Sequence, residues 1–327
     1  MRGRTEQLPA PRAHLAATLR LVDALVERAG GFDVWPGASA VREVLARPFR
    51  LPASVRPEQN GLKYDAYVTE GPDGPAWGVA FNDRWEGRAV WATVEELATR
   101  LPDGVYDLDR VRAARAAIAS SSVNVSLGFD APGQPPRLKL YLQEADWAEG
   151  VLRADAFASL PEAVRGGCVL PEEVPADAPL GVITVVLRPD GSSGLKVYLG
   201  GPTPSDAASG LGARWPEVDA LADGMAAACP SRPAFHYLTL RLEEGREPRF
   251  AMNRIWDHVR VGFGTGEALD AAWAEVGALF ARAGRDEAFA ELASMRGALQ
   301  DLRLVPTAAA YERGGSSADV YLAAWPA

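Results

Sequence analysis

The chain is poor in the residues that most often mark a catalytic or metal site. Its 327 residues include three histidines, His14, His236 and His258, far apart in sequence, and two cysteines, Cys168 and Cys229. Two cysteines give no disulfide framework, and neither has the spacing of a structural zinc site. His236 sits in strand-like text, where a packed or solvated histidine is the expectation. Positive charge is also in deficit: 34 Lys and Arg against 43 Asp and Glu leave a net charge of −9. That balance argues against a nucleic-acid partner, although it does not exclude a local basic pocket. No run of about 18 apolar residues occurs, and the opening MRGRTEQLPAPRAH lacks the apolar centre of a secretory signal. The expected location is the cytoplasm, with no membrane partner. There is no aspartate-rich DDxxD run to gather magnesium. The nearest look-alike, NDRWE at 82–86, reads as the start of a loop. GSSG at 191–194 and GGSS at 314–317 are glycine-rich, but no helix opens after them, so they read as hairpin turns and not phosphate loops.

What is present is a repeat. Helical text runs from about Arg12 to Arg28, with Gly30-Gly31 as its stop, and again from Ala40 to Ala46. Five hairpins follow. The first is 61–70 with 76–82, around GPDGP; the second is 120–130 with 137–144, around APGQPP. The third is 180–189 with 194–201, around DGSS; the fourth is 234–244 with 249–257, around GREP. The fifth is 304–313 with 318–325, around GGSS. Helical text separates them: TVEELATRL, DLDRVRAARAAIA, a stretch from Ala145 to Val164, RWPEVDALADGMAAAC, and two periodic helices over 266–284 and 287–302. A period near sixty residues decides the architecture before any single motif does. Strands that arrive in antiparallel pairs exclude an all-parallel α/β sheet. Ten such strands are expected to close into an antiparallel barrel of the α+β class, five ααββ repeats with the helices outside. The expected organisation is one barrel domain over 1–327, with a helical part at 1–58 and the hairpins at 59–327.

Two second strands carry nearly the same text, PRLKLYL at 136–142 and SGLKVYL at 193–199. Residues two apart in a strand share a face. Lys139 and Tyr141, and likewise Lys196 and Tyr198, therefore lie on one side, while Leu138, Leu140, Leu195 and Val197 lie on the other. In an open sheet the polar side would simply be wet. In a barrel covered by helices the apolar side must meet those helices, so the lysines and tyrosines face the lumen. Aligned second strands add Arg137 to the inner set, then Arg249, Ala251 and Asn253 from the fourth hairpin, and Asp319 and Tyr321 from the fifth. The first strand of the first hairpin adds Lys63, Asp65 and Tyr67, or, on the opposite parity, Tyr64. Ten strands enclose more space than the eight that side chains can just fill. Cations gathered in a low-dielectric lumen call for a polyanion between them, and a diphosphate suits both the Arg fork and the Lys point charge. Tyrosines beside it can turn their electron-rich faces toward an allyl cation, at about 2 kcal/mol per desolvated contact.

These repeats, with the R-x-K-x-Y and K-x-Y strands, resemble the ABBA-type prenyltransferases over roughly residues 60–327. The closest branch is that of the dimethylallyl-tryptophan synthases and cyanobactin peptide prenyltransferases. The resemblance implies a ten-stranded barrel around the active site and a soluble aromatic or peptide prenyltransferase. Such an enzyme moves a dimethylallyl or geranyl group from its diphosphate to an indole, a phenol or a peptide side chain. Carried over, Arg137, Lys139 and Lys196 would hold diphosphate, with Arg249 as a compensating cation. Tyr141, Tyr198 and Tyr321 would shield the prenyl group, with Tyr67 and Asn253 as further positions of a ring whose fourth-hairpin panel is incomplete. Asp65, or Glu70, would take the place of the family's first-strand glutamate, which accepts the acceptor's proton. The sequence departs from the family at AWGVAFN, which has no basic residue, and at Ala251 and Asn253, where a lysine and a tyrosine would fall. No protein metal site is implied, magnesium is left open, and a monomer or weak homodimer is expected. The rival reading is a non-catalytic barrel that binds a hydrophobic phosphorylated ligand.

Overall fold

The structure is a computed structural model and describes residues 11–46, 64–71, 74–82, 95–97, 99–101, 106–117, 124–143, 152–231, 235–256, 266–312 and 317–327. Eleven strands form one antiparallel sheet: β1 (Tyr64–Gly71), β2 (Gly74–Asn82), β3 (Asn124–Phe129), β4 (Arg137–Gln143), β5 (Leu152–Arg153), β6 (Pro179–Leu187), β7 (Ser193–Gly201), β8 (Phe235–Leu242), β9 (Arg249–Ile255), β10 (Leu302–Glu312) and β11 (Ser317–Pro326). Chain order becomes spatial order, β4-β3-β2-β1-β11-β10-β9-β8-β7-β6, and a further pairing of β4 with β6 closes the ring. Ten strands make the barrel. The two-residue β5 lies on the side of β6, beyond the ring. Glycines at the tips of the β6–β7 and β8–β9 hairpins, Gly191 and Gly245, have φ of 81° and 69°, a backbone that side chains resist.

The strand alternation has the direction the sequence implied. In β7, Leu195, Val197 and Leu199 are buried, whereas Lys196, Tyr198 and Gly200 between them keep some solvent contact. The apolar set meets helices: α1 (Pro11–Arg28), α2 (Ala38–Leu45), α3 (Leu108–Ala117), α4 (Glu162–Arg165), α5 (Pro204–Ala207), α6 (Pro216–Ala228), α7 (Gly266–Arg282) and α8 (Asp286–Ala298). Helix α1 lies over the β1–β11 seam and buries Leu21, Val22, Leu25 and Val26 there. Each such side chain is worth about 1.5–3 kcal/mol when it leaves water. His14 of α1 donates from Nδ1 to the Ala324 carbonyl at 2.7 Å and stacks on Trp325 at 3.9 Å. Trp35 packs edge-on against Trp77 and Phe129, and Trp215 is buried against Phe250, so both are packing anchors. Trp85 and Trp147 lie outside the described residues.

Most expected elements agree with the structure to within a few residues, and one does not. The helical text placed over 145–164 contains, from residue 152 onward, the strand β5, a 3-10 turn over Ala154–Ser159 and the single-turn α4. Pro161 sits between the last two, and Gly166 stops α4 in the left-handed conformation at φ 56°. The last helix also ends sooner than 302, because Leu302 already belongs to β10. Strand β10 carries Pro306 at a register shift between Pro306 and Ala308, one of the few places a sheet accepts proline. No described helix is long and apolar enough to cross a membrane.

Candidate active site

Strands β4 and β7, which carry the two K-x-Y motifs, are not neighbours. Strand β6 lies between them and puts Thr184 opposite both Tyr141 and Lys196. Ladder spacing therefore fixes the separation of the two lysines. Lys139 is 2% exposed; its ammonium donates to the Tyr67 hydroxyl at 3.1 Å and lies 4.6 Å from that ring's centre. Arg137, at the start of β4, pairs with Asp130 at 2.7 Å through Nη2. Lys196 faces Arg241 of β8 across the ladder, and Arg241 is ion-paired with Glu312 at the end of β10. Arg137, Lys139, Lys196 and Arg241 act on one another electrostatically and so form one cationic cluster.

The cluster is short of negative charge. Burial, followed by the Arg137 charge, lowers the Lys139 ammonium to about 7. Burial, then Arg241 and Lys139, holds Lys196 well below the ordinary lysine value. Burial would also lower Arg137, but Asp130, with help from Tyr67 and Asp319, outweighs it and raises that guanidinium. Among the described residues, Nε of both Arg137 and Arg241 and Oδ1 of Asp319 are buried with no hydrogen-bond partner. Buried donors are rarely left so, and a phosphate-bearing ligand would accept from the two guanidinium Nε–H groups.

Aromatic rings stand beside the cations. Tyr67 and Tyr321 lie side by side with centroids 4.9 Å apart, and Tyr198 meets Tyr237 edge-on at 5.9 Å. Tyr141 places its hydroxyl beside Ser126 and Tyr321. Burial raises the phenols of Tyr67, Tyr141, Tyr198 and Tyr321 above the ordinary value, so all four stay neutral donors. The Tyr67 ring lies flat over β2 and reaches β3. A Cβ on Gly78 would come within 2.3 Å of its Cζ, and one on Gly128 within 2.4 Å of its hydroxyl. Where the resembling family has a basic residue on the second strand of the first hairpin, this chain has Tyr67 spread over glycine. On the far wall Ala251, Asn253, Ala308 and Ala310 are small, and Asn253 donates to Thr239 Oγ1 at 2.6 Å and to the Tyr237 carbonyl at 3.1 Å.

Asp65 lies on the inner parity of β1, buried, in the rung that continues through Ala80 and Ser126 to Lys139. Two expected site residues are not with the others. Glu70 has the opposite parity and points out of the barrel, where it pairs with Arg28 of α1 at 2.7 Å. A one-residue step along a strand reverses its face, so Glu70 is an anchor for α1 and not a lumen base. Arg249 has inner parity but begins β9 at the rim, with its side chain 63% exposed and 3.6 Å from Glu243. The cation found in the lumen is its cross-strand partner, Arg241. Lys63 lies outside the described residues. His236 faces outward, buried against Arg254 at 3.4 Å; burial and that charge lower its imidazole to about 4.

Arg241, Tyr237, Asp130 and Glu312 are absent from the sequence reading. A signal existed for two of them: FHYLTLRL alternates Tyr237, Thr239 and Arg241 against Leu238, Leu240 and Leu242, the same period that exposed Lys139 and Lys196. Among the described residues, no group of three or more His, Cys, Asp or Glu is placed to hold a metal ion.

No protein-family model and no curated protein matches the sequence. Solved structures do. The prenyltransferase PriB, in a ternary complex with L-tryptophan and dimethylallyl thiolodiphosphate, superposes with a TM-score of 0.60 at 21% identity, covering 96% of each chain. The 6-dimethylallyltryptophan synthase from Micromonospora olivasterospora gives 0.62 at 17% identity over 96% of this chain and 98% of the other. AnaPT from Neosartorya fischeri gives 0.66 at 12% identity over 99% and 97%. This chain therefore has the fold of the ABBA prenyltransferases, a closed ten-stranded antiparallel barrel wrapped in helices.

Proposed function

We propose that the protein is an aromatic prenyltransferase, moving a dimethylallyl or geranyl group from its diphosphate to an electron-rich acceptor. The observation that carries this reading is the convergence of Arg137, Lys139, Lys196 and Arg241 beside several tyrosines in one lumen. The diphosphate sits among the cations, which stabilise the charge that grows as the allylic C–O bond breaks. The allyl cation forms between Tyr67, Tyr141, Tyr198 and Tyr321, whose faces attract it while the closed wall keeps water away. An acceptor carbon takes up the cation, and the proton it then loses goes to Asp65, the buried carboxylate on the inner face of β1. The acceptor is an indole, a phenol or an aromatic side chain of a peptide. The small residues Ala251, Ala308 and Ala310 leave the β9–β10 wall as the side on which it fits.

Calorimetry with dimethylallyl thiolodiphosphate, which cannot ionise readily, tests the reading. Wild type should bind, and the Lys139→Ala/Lys196→Ala double variant should lose at least tenfold in affinity. A screen of tryptophan, simple phenols and aromatic peptides with dimethylallyl and geranyl diphosphates follows, with and without magnesium, since the four cations offer charge of their own. Binding without transfer to any acceptor would favour the non-catalytic barrel. No binding of either diphosphate would remove both readings.

A further inference from the structure

We propose that Arg241 is a fourth ligand of the bound diphosphate and that Glu312 is its resident counter-ion, which the diphosphate displaces on entering. The proposal rests on the reading of the lumen as a prenyl diphosphate site.

Arg241 occupies the inner face of β8 directly across the ladder from Lys196. Its charge bears on both lumen lysines. Its side chain is 22% exposed and that of Glu312 is 14% exposed, so the pair is largely out of water, and it joins β8 to β10 across the lumen side of β9. Glu312 engages the guanidinium through Nη2, while Nε of Arg241 has no partner among the described residues. A guanidinium with an unused donor next to a used one presents half of the fork that binds two phosphate oxygens at once. The other cation pair differs in its partner: Asp130, on Arg137, is 44% exposed and lies after the end of β3.

Two effects then act in the same direction. A diphosphate carries more negative charge than one carboxylate and offers oxygens to both Nε and Nη2. A carboxylate left among those oxygens would repel them in a medium where charges are poorly screened. Glu312 therefore gives up Arg241 as the ligand enters and takes it back as the diphosphate leaves. It keeps Arg241 paired while the lumen is empty, and it weakens the hold on the product diphosphate.

The test is calorimetry with inorganic diphosphate, compared with dimethylallyl thiolodiphosphate, on wild type, Glu312→Gln and Arg241→Met. Glu312→Gln should bind inorganic diphosphate at least fivefold more tightly than wild type, with a matching rise in product inhibition. Arg241→Met should bind at least tenfold more weakly. Glu312→Ala serves as the second variant if the glutamine protein does not fold, and the same gain is expected. Unchanged or weaker binding on removal of the Glu312 carboxylate overturns the proposal, because Glu312 would then be a support for Arg241 and not its competitor. The two readings separate cleanly: binding that depends on Lys139 and Lys196 but not on Glu312 sinks only this proposal, whereas binding indifferent to both lysines sinks the lumen site itself.

Discussion

Lys139 is a cation that the empty protein can barely keep. It is buried beside Arg137, and its ammonium titrates at about 7. Unfolded, the same lysine titrates near 10.4, so between these values the unfolded chain binds more protons and this residue's cost to stability disappears as pH rises. A diphosphate reverses the preference by supplying the missing negative charge. Binding at pH 8 should therefore take up protons, and affinity should fall as pH climbs above about 7. Calorimetry in two buffers of different ionisation enthalpy reads the uptake directly, and proton release instead would contradict the burial of Lys139. Gly78 belongs to the same scale. Its absent Cβ is what lets the Tyr67 ring lie over β2 and accept from Lys139. Gly78→Ala should push Tyr67 off that position and cut kcat at least tenfold, while Lys139 and Lys196 still bind diphosphate. An assay of kcat beside thiolodiphosphate affinity separates the two effects. The K-x-Y residues were legible because a period of two on a covered strand leaves only one inward face. Tyr67's route across β2 was not, since it depends on two glycines brought opposite by the register of β1, β2 and β3.

At the scale of elements, helices are fastened to the outside of the barrel by buried polar contacts. Arg254 of β9 is fully buried and meets Glu275 of α7 at 3.3 Å; Glu275 also accepts from Trp256 Nε1 at 2.8 Å and from the Ser231 backbone N–H at 2.8 Å. Nη2 of Arg254 also donates to the Ser231 carbonyl and hydroxyl. Removing one member strands the other, at a cost of about 3–5 kcal/mol. Glu275→Ala should thus lower the Tm on the order of 10 °C while leaving thiolodiphosphate affinity within a factor of two, as thermal unfolding and calorimetry would show. Hairpins and the long helices were readable from period and turn chemistry. The stretch after residue 152 was not, because its Ala-rich text has helical propensity, and Pro161 and Gly166 confine it to a single turn. Arg249 shows the other limit. A strand fixes which face a residue takes, but only the end of the ladder decides whether an inward residue reaches the lumen or stops at the rim, as Arg249 does.

At the scale of the molecule, similarity to solved barrels persists at 12–21% identity across nearly the whole chain. What such distant chains share is the alternation of covered and lumen-facing positions, which many sequences satisfy. That is why the barrel could be read from periodicity, while the partners of its cations could not. Ring closure through β4 and β6, with β1 sealed to β11 under α1, has a kinetic meaning. A cleft between two lobes can open like a jaw, but an uninterrupted ring of hydrogen-bonded ladders cannot part without losing a whole seam. Val68 and Val320 face each other across the β1–β11 seam. Cysteines placed at both positions and oxidised to a crosslink should leave turnover the same as in the reduced protein, and a marked slowing would show that the seam has to breathe. A ligand of the lumen then has to travel along the barrel axis, so under the proposed function the protein would work as a bottle and not a clamp, with threading through an end, and not the swing of a hinge, ordering what meets inside.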